Sequence, residues 1–251
     1  MSRLALLVSA IVSLLLISSN SEGRGTSDTK ASQGQDAGTF CSKKARQKRQ
    51  FIKEERDNPY SDTNLREYAK EVVPLVEAVA GRKFAATPRV NWIDPDVLAR
   101  LMGDEIRLIY SGVFPEVQAE YIERMAEQSG LSLGAILGKY TPENRGVHIN
   151  LDSILLAATQ EGLEEQVAVD LVKLILAHEL THALQDQEVD LMEVLLSSRD
   201  EDSMNAVRGT IEGHATYIEK QVGDRLGLDE AHRFMTRMQG WNDSGELENK
   251  R

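Results

Sequence analysis

A single cysteine, Cys41, in 251 residues leaves no internal disulfide to form, so the chain is not a stapled secreted scaffold. Cys41 follows Gly38-Thr39-Phe40, too far beyond the N-terminal apolar run to be a lipid-attachment cysteine, and reads as an incidental thiol in a linker. Positive charge is in deficit. The net charge of −11 repels phosphates and argues against nucleic acid as a partner. No segment recurs at a fixed period, which excludes a solenoid. A membrane-length apolar run is missing too: Leu4 to Ile17 is uncharged and rich in Leu, Val and Ile, but shorter than the ~20 residues a spanning helix needs.

What is present is the balance of a soluble globular protein, 41% hydrophobic and 27% charged, which can bury a core without metal or disulfide support. Arg3, the apolar run and the small polar residues Ser18 to Ser21 make residues 1–21 an expected signal peptide. The chain is then exported, secreted or periplasmic; an uncleaved N-terminal membrane anchor is the competing reading. Residues 22–60 read as a disordered linker, first rich in Gly, Ser, Thr, Asp and Gln, then basic from Lys43 to Lys53. The basic cluster is a solvated stretch, or a surface for anionic lipid, so membrane contact is expected only through the N-terminal segment. A folded domain is expected over 61–228 and a tail over 229–251.

Within that domain helices dominate. Apolar residues recur at helical spacing over 62–80, despite Pro74, and again over 96–111 and 115–129. Residues 89–93 have strand composition, and 138–150 read as a hairpin around Pro142-Glu143-Asn144-Arg145-Gly146. A long helix follows over about 163–187. Residues 199–202 look like a loop, with Ser203 capping a last helix to about Leu226. The fold class is α+β: mainly helical, with a small hairpin or sheet beside the long helix.

The chemistry lies on that helix, at His178-Glu179-Leu180-Thr181-His182. Residues four apart share a helix face, so both imidazoles can reach one ion, and the Glu beside the first can reach water on it. Three polar groups in an Ile/Leu/Ala-rich stretch are costly to bury without a partner. Only five histidines occur in the chain, and chance is a poor source of this pattern. A catalytic zinc normally takes three protein ligands and keeps one position open. Gln185 and Glu188 stand where a third His after the motif would require Gly and His, so the third ligand comes from elsewhere. Glu212 borders the apolar stripe of the last helix, and Gly213 beside it would let another helix approach closely. Its alternative is an ordinary ion pair with Arg208 one turn earlier. His214 is the main rival donor, but points off the face of Glu212. Asp186, one turn past His182, could ligate, but is expected rather to brace an imidazole through its N–H.

The run His178 to Asp186 resembles the active-site helix of gluzincin metallopeptidases, the thermolysin-like clan. That resemblance implies a zincin-like domain with zinc held by His178, His182 and Glu212, Glu179 as general base, and a peptide or protein as substrate. It also implies an edge strand above the active-site helix, which residues 146–150 would supply. The Asn-Glu-x-x-Ser-Asp context of the clan's third ligand is absent, the gap from His182 to Glu212 is longer than theirs, and little chain follows Glu212. Tyr217, His214 and His232 stay open as oxyanion partners. The rival class is a non-enzymatic, metal-stabilised exported binding or assembly protein that keeps the motif without a working cleft. Oligomeric state is not readable from the sequence.

Overall fold

The computed structural model describes residues 57–131 and 136–238. The expected signal peptide, most of the linker with its basic cluster, and Cys41 lie outside the described residues, as do the last residues of the tail. No described helix is long and apolar enough to cross a membrane.

Helix α1 (Asp62–Ala80) starts where the Ser61 hydroxyl accepts the Asn64 N–H, and ends at Gly81 in the left-handed conformation. Its buried Leu65, Ala69, Val72 and Val76 form one stripe, which Pro74 leaves intact. Strand β1 (Arg89–Trp92) leads through the Asp94 cap into α2 (Pro95–Val113), followed by α3 (Ala119–Leu131). Strands β2 (Gly138–Thr141) and β3 (Gly146–Ile149) form the hairpin, and α4 (Leu151–Glu161) follows directly, capped by Asn150. Then come α5 (Glu165–Glu188), the short α6 (Leu191–Leu196), α7 (Glu201–Leu226) and α8 (Asp229–Met238).

The α+β, mainly helical expectation holds. Helix α5 is buried on nearly every side from Val167 to Ala177, so it is the central element. Around it pack α1, α4, α7, α8 and the sheet. Gly223 of α7 lets that helix press on α5: a Cβ there would meet Leu174 Cδ2 at 2.8 Å. Gly213, by contrast, has no neighbour within 4 Å of such an atom, so it does not mediate a close helix approach. Helices α2 and α3 pair with each other and meet the rest at a second cluster, where Ile109 and Val113 contact Met204.

The sheet order is β1-β3-β2, with β1 parallel and β2 antiparallel to β3. Strand β3 is therefore the middle strand, not the edge expected at 146–150. The strand whose free side meets α5 is β2. Two further differences concern helix ends. The capping residue of α7 is Asp200, with Ser203 completing a reciprocal capping box from inside the helix, so the expected 199–202 loop is mostly helix start. Residues 229–238 form α8, whose Ala231, Phe234 and Met235 are buried in the main core.

Candidate metal centre

Three donor atoms, one each from His178, His182 and Glu212, lie within 4.8 Å of one another. The two histidines sit one turn apart on α5, with ring centroids 4.8 Å apart and edge-on. Glu212 reaches them from α7, its Oε2 3.2 Å from His178 Nε2 and 3.5 Å from His182 Nε2. Zinc bonds of ~2.0–2.1 Å at tetrahedral angles separate ligand atoms by about 3.3 Å, close to the 3.2 and 3.5 Å from Glu212 to the two imidazoles. Two neutral nitrogens and one carboxylate suit zinc chemically as well. Glu212 is 62% exposed at its side chain while the imidazoles are 16% and 11% exposed, so the cluster opens to solvent on the α7 side. Arg208 is directed at the Tyr110 hydroxyl rather than at Glu212.

Each imidazole has its own brace. Glu219, two turns beyond Glu212 on the same face of α7, takes His178 Nδ1 at 3.0 Å through a carboxylate that is 3% exposed. That bond leaves Nε2 for the ion. His182 Nδ1 lies 2.9 Å from Gln185 Oε1. The amide of Gln185 in turn donates to the Ile211 carbonyl at 3.0 Å and to His214 Nδ1 at 3.0 Å. His214 is thus one step behind the candidate ligand His182, reached through Gln185, and is not part of the three-residue cluster. Asp186 braces no imidazole: it accepts the Tyr140 hydroxyl at 2.8 Å and the Leu191 N–H at 3.0 Å, tying β2 to the end of α5.

Sequence reasoning missed Glu219 and Gln185. Glu219 had a readable signal, a carboxylate inside the stripe Ala215, Ile218, Val222 and seven residues from Glu212. Gln185 had none, because an amide beside a His is ordinary on any helix surface.

Electrostatically the cluster is built for a cation. Burial opposes charge on His178, but its hydrogen bonds to Glu212 and Glu219 override that and push its pKa up to about 10. Partial desolvation where it meets the imidazoles works to raise Glu212, yet its hydrogen bonds to His178 and His182 hold it well below the ordinary carboxylate range. A proton on His178 therefore occupies the charge slot that a divalent ion would fill.

Glu179 is buried, and its Oε2 accepts the Tyr140 backbone N–H at 2.6 Å. Strand β2 can lie this close because residue 138 is glycine: a Cβ there would run into Ile175 Cγ2 and come within 3.1 Å of Glu179 Cγ. Next to it, Lys139 pairs with Glu105 at 2.7 Å and so joins β2 to α2. Burial lowers the Lys139 pKa and Glu105 raises it, with a net upward result. His148 hydrogen-bonds Thr141 Oγ1 at 3.1 Å across the hairpin. Tyr217 is exposed on α7, and His232 lies on α8 behind Glu219.

No family model matches the chain, and no curated protein matches it significantly. Among solved structures it is similar to a protein from Chloroflexus aurantiacus described as "a putative hydrolase with a novel fold", at 15% identity and a TM-score of 0.50. The alignment covers 69% of this chain and 65% of that one, so less than two thirds of that protein's length is spanned. At this identity the likeness is one of fold.

Proposed function

We propose that this chain is an exported zinc-dependent hydrolase acting on peptide amide bonds, with His178, His182 and Glu212 as metal ligands and Glu179 as general base. The observation that carries the reading is the donor triangle: Glu212 lies 3.2 and 3.5 Å from two imidazoles four residues apart, and a Glu stands between those imidazoles in sequence. When bound, zinc polarises the carbonyl under attack and acidifies water. Glu179 takes the proton of the attacking water and returns it to the leaving nitrogen as the C–N bond breaks. The Tyr140 N–H holds the Glu179 carboxylate in one orientation while it does so. Glu219 and Gln185 keep the two imidazoles turned with Nε2 toward the ion. The gluzincin resemblance supports an amide substrate, and the fold likeness to a protein described as "a putative hydrolase" supports hydrolysis in general and no particular bond.

The test is Glu179→Gln, which keeps size and hydrogen-bonding shape but removes the base. The variant should keep one zinc per chain and lose ~10² or more of wild-type hydrolysis of unfolded casein. Both proteins are assayed before and after limited proteolysis within residues 22–60. Equal turnover by the two would move the base elsewhere. Zinc bound with no turnover by either, before or after proteolysis, would favour the non-enzymatic metal protein.

A further inference from the structure

Helix α8 carries a histidine that the proposed chemistry does not use. His232 Nδ1 is buried and has no hydrogen-bond partner. It faces Glu219 Oε1 at 3.9 Å, across from the oxygen that binds His178 Nδ1 at 3.0 Å. Glu219 thus stands between two imidazoles, one on the central helix and one on the C-terminal helix. A buried imidazole N–H without an acceptor is unfavourable, and a carboxylate oxygen is the acceptor it meets. The gap exceeds hydrogen-bond length by about an ångström, a distance that small side-chain rotations at either end close.

We propose that His232 is a positioning residue for the metal centre, donating from Nδ1 to Glu219 and so fixing the carboxylate that orients His178. The inference rests on the reading of His178 as a metal ligand. A carboxylate bound at one oxygen only can swing about its last torsion. Bound at both, it presents Oε2 to His178 in one direction, and His178 Nε2 keeps its aim at Glu212 and the ion. Helix α8 is held for this purpose by Phe234 and Ala231, both about 1% exposed in the main core.

The experiment compares His232→Leu, which removes the donor, with His232→Asn, whose amide nitrogen stands near the place of Nδ1. Zinc affinity is read by competition with a chromophoric chelator on the full chain, with circular dichroism as the check on folding. His232→Leu should weaken zinc binding about tenfold, the lower end of the loss when an outer partner of a ligating imidazole is removed. His232→Asn should stay within about threefold of wild type, because the donor is kept. Placed on Glu219→Gln, His232→Leu should add little, since its effect runs through that carboxylate. Wild-type affinity in His232→Leu, equal losses in the two variants, or full additivity with Glu219→Gln would each overturn the proposal. If the wild-type chain binds no zinc, the metal reading falls first. The relay is then read in the apo protein, where the Nδ1–H resonance of His178 should shift in His232→Leu and not in His232→Asn; no shift would overturn it.

Discussion

The two candidate ligand histidines share a helix, a neighbour in Glu212 and a degree of burial, yet they are braced in opposite ways. His178 is backed by a buried carboxylate from another helix, His182 by an uncharged amide from its own. A neutral amide fixes the orientation of a ring and asks nothing of the local charge. A carboxylate buried to 3% exposure is expensive to desolvate unless a cation stands beside it. The His178 arm is therefore coupled to whatever positive charge the centre holds, proton or metal. The His182 arm is geometric scaffolding. One arm senses charge and the other sets direction.

The sharpest way to break this contrast is to remove each ring. His178→Ala and His182→Ala should both abolish stoichiometric zinc, measured by metal analysis after dialysis, because each removes one of three protein ligands. Their apo stabilities should separate. His178→Ala leaves the buried Glu219 with only His232 beside it and should cost about 3 kcal/mol in urea unfolding, whereas His182→Ala leaves a satisfiable amide and should cost roughly 1–2 kcal/mol. Equal losses would mean that Glu219 carries no special burden.

Next in size is the pH dependence of the metal-free protein. The folded pKa of His178, about 10, lies above its ordinary 6.5. The stability it contributes is thus fully present below about pH 6.5 and is lost as pH rises toward 10. Glu212, depressed by the same pair, loses its contribution on acidification below the ordinary carboxylate range; this is one interaction seen from two sides and is counted once. Apo stability should peak near pH 5–6 and fall by a few kcal/mol toward pH 10. His178→Gln should flatten the alkaline limb, and a limb unchanged by that substitution would remove the charge-sensing role.

Exchanging the braces is the third comparison. Glu219→Gln should weaken zinc affinity ~10–100-fold, and Gln185→Leu only several-fold, since the first removes a charge as well as a bond. The smallest effect belongs to the tie below the site. Tyr140→Phe frees Asp186 from one hydrogen bond and should cost about 1 kcal/mol of stability with zinc affinity unchanged.

Local pattern made the His178–His182 helix and Glu212 legible, because helical period converts spacing into a shared face. The same period points to Glu219 once Glu212 is chosen. It could not reveal the β1–β3 pairing, which joins Arg89 to Gly146 and Trp92 to Ile149 across the whole α2–α3 excursion. That pairing moved β3 from the edge to the middle. Helix α4 went unread because it begins directly after the strand at its Asn150 cap, with no intervening turn signal. The burial of α8 was readable but passed over: Leu228, Ala231, Phe234 and Met235 recur at helical spacing and form one buried face, a pattern that the short length and charged neighbours of the segment obscured.

The Tyr140–Glu179 hydrogen bond has a consequence for solubility. Asn150 donates to the Leu137 carbonyl, so the odd-numbered residues of this strand face β3 and the even-numbered ones face outward. Of the outward amides, that of Tyr140 is already held by Glu179, and Pro142 has none to offer. An incoming strand from another molecule would find neither of these two positions open to pairing along β2. The contact that fixes the candidate base thus also withholds this sheet edge from aggregation.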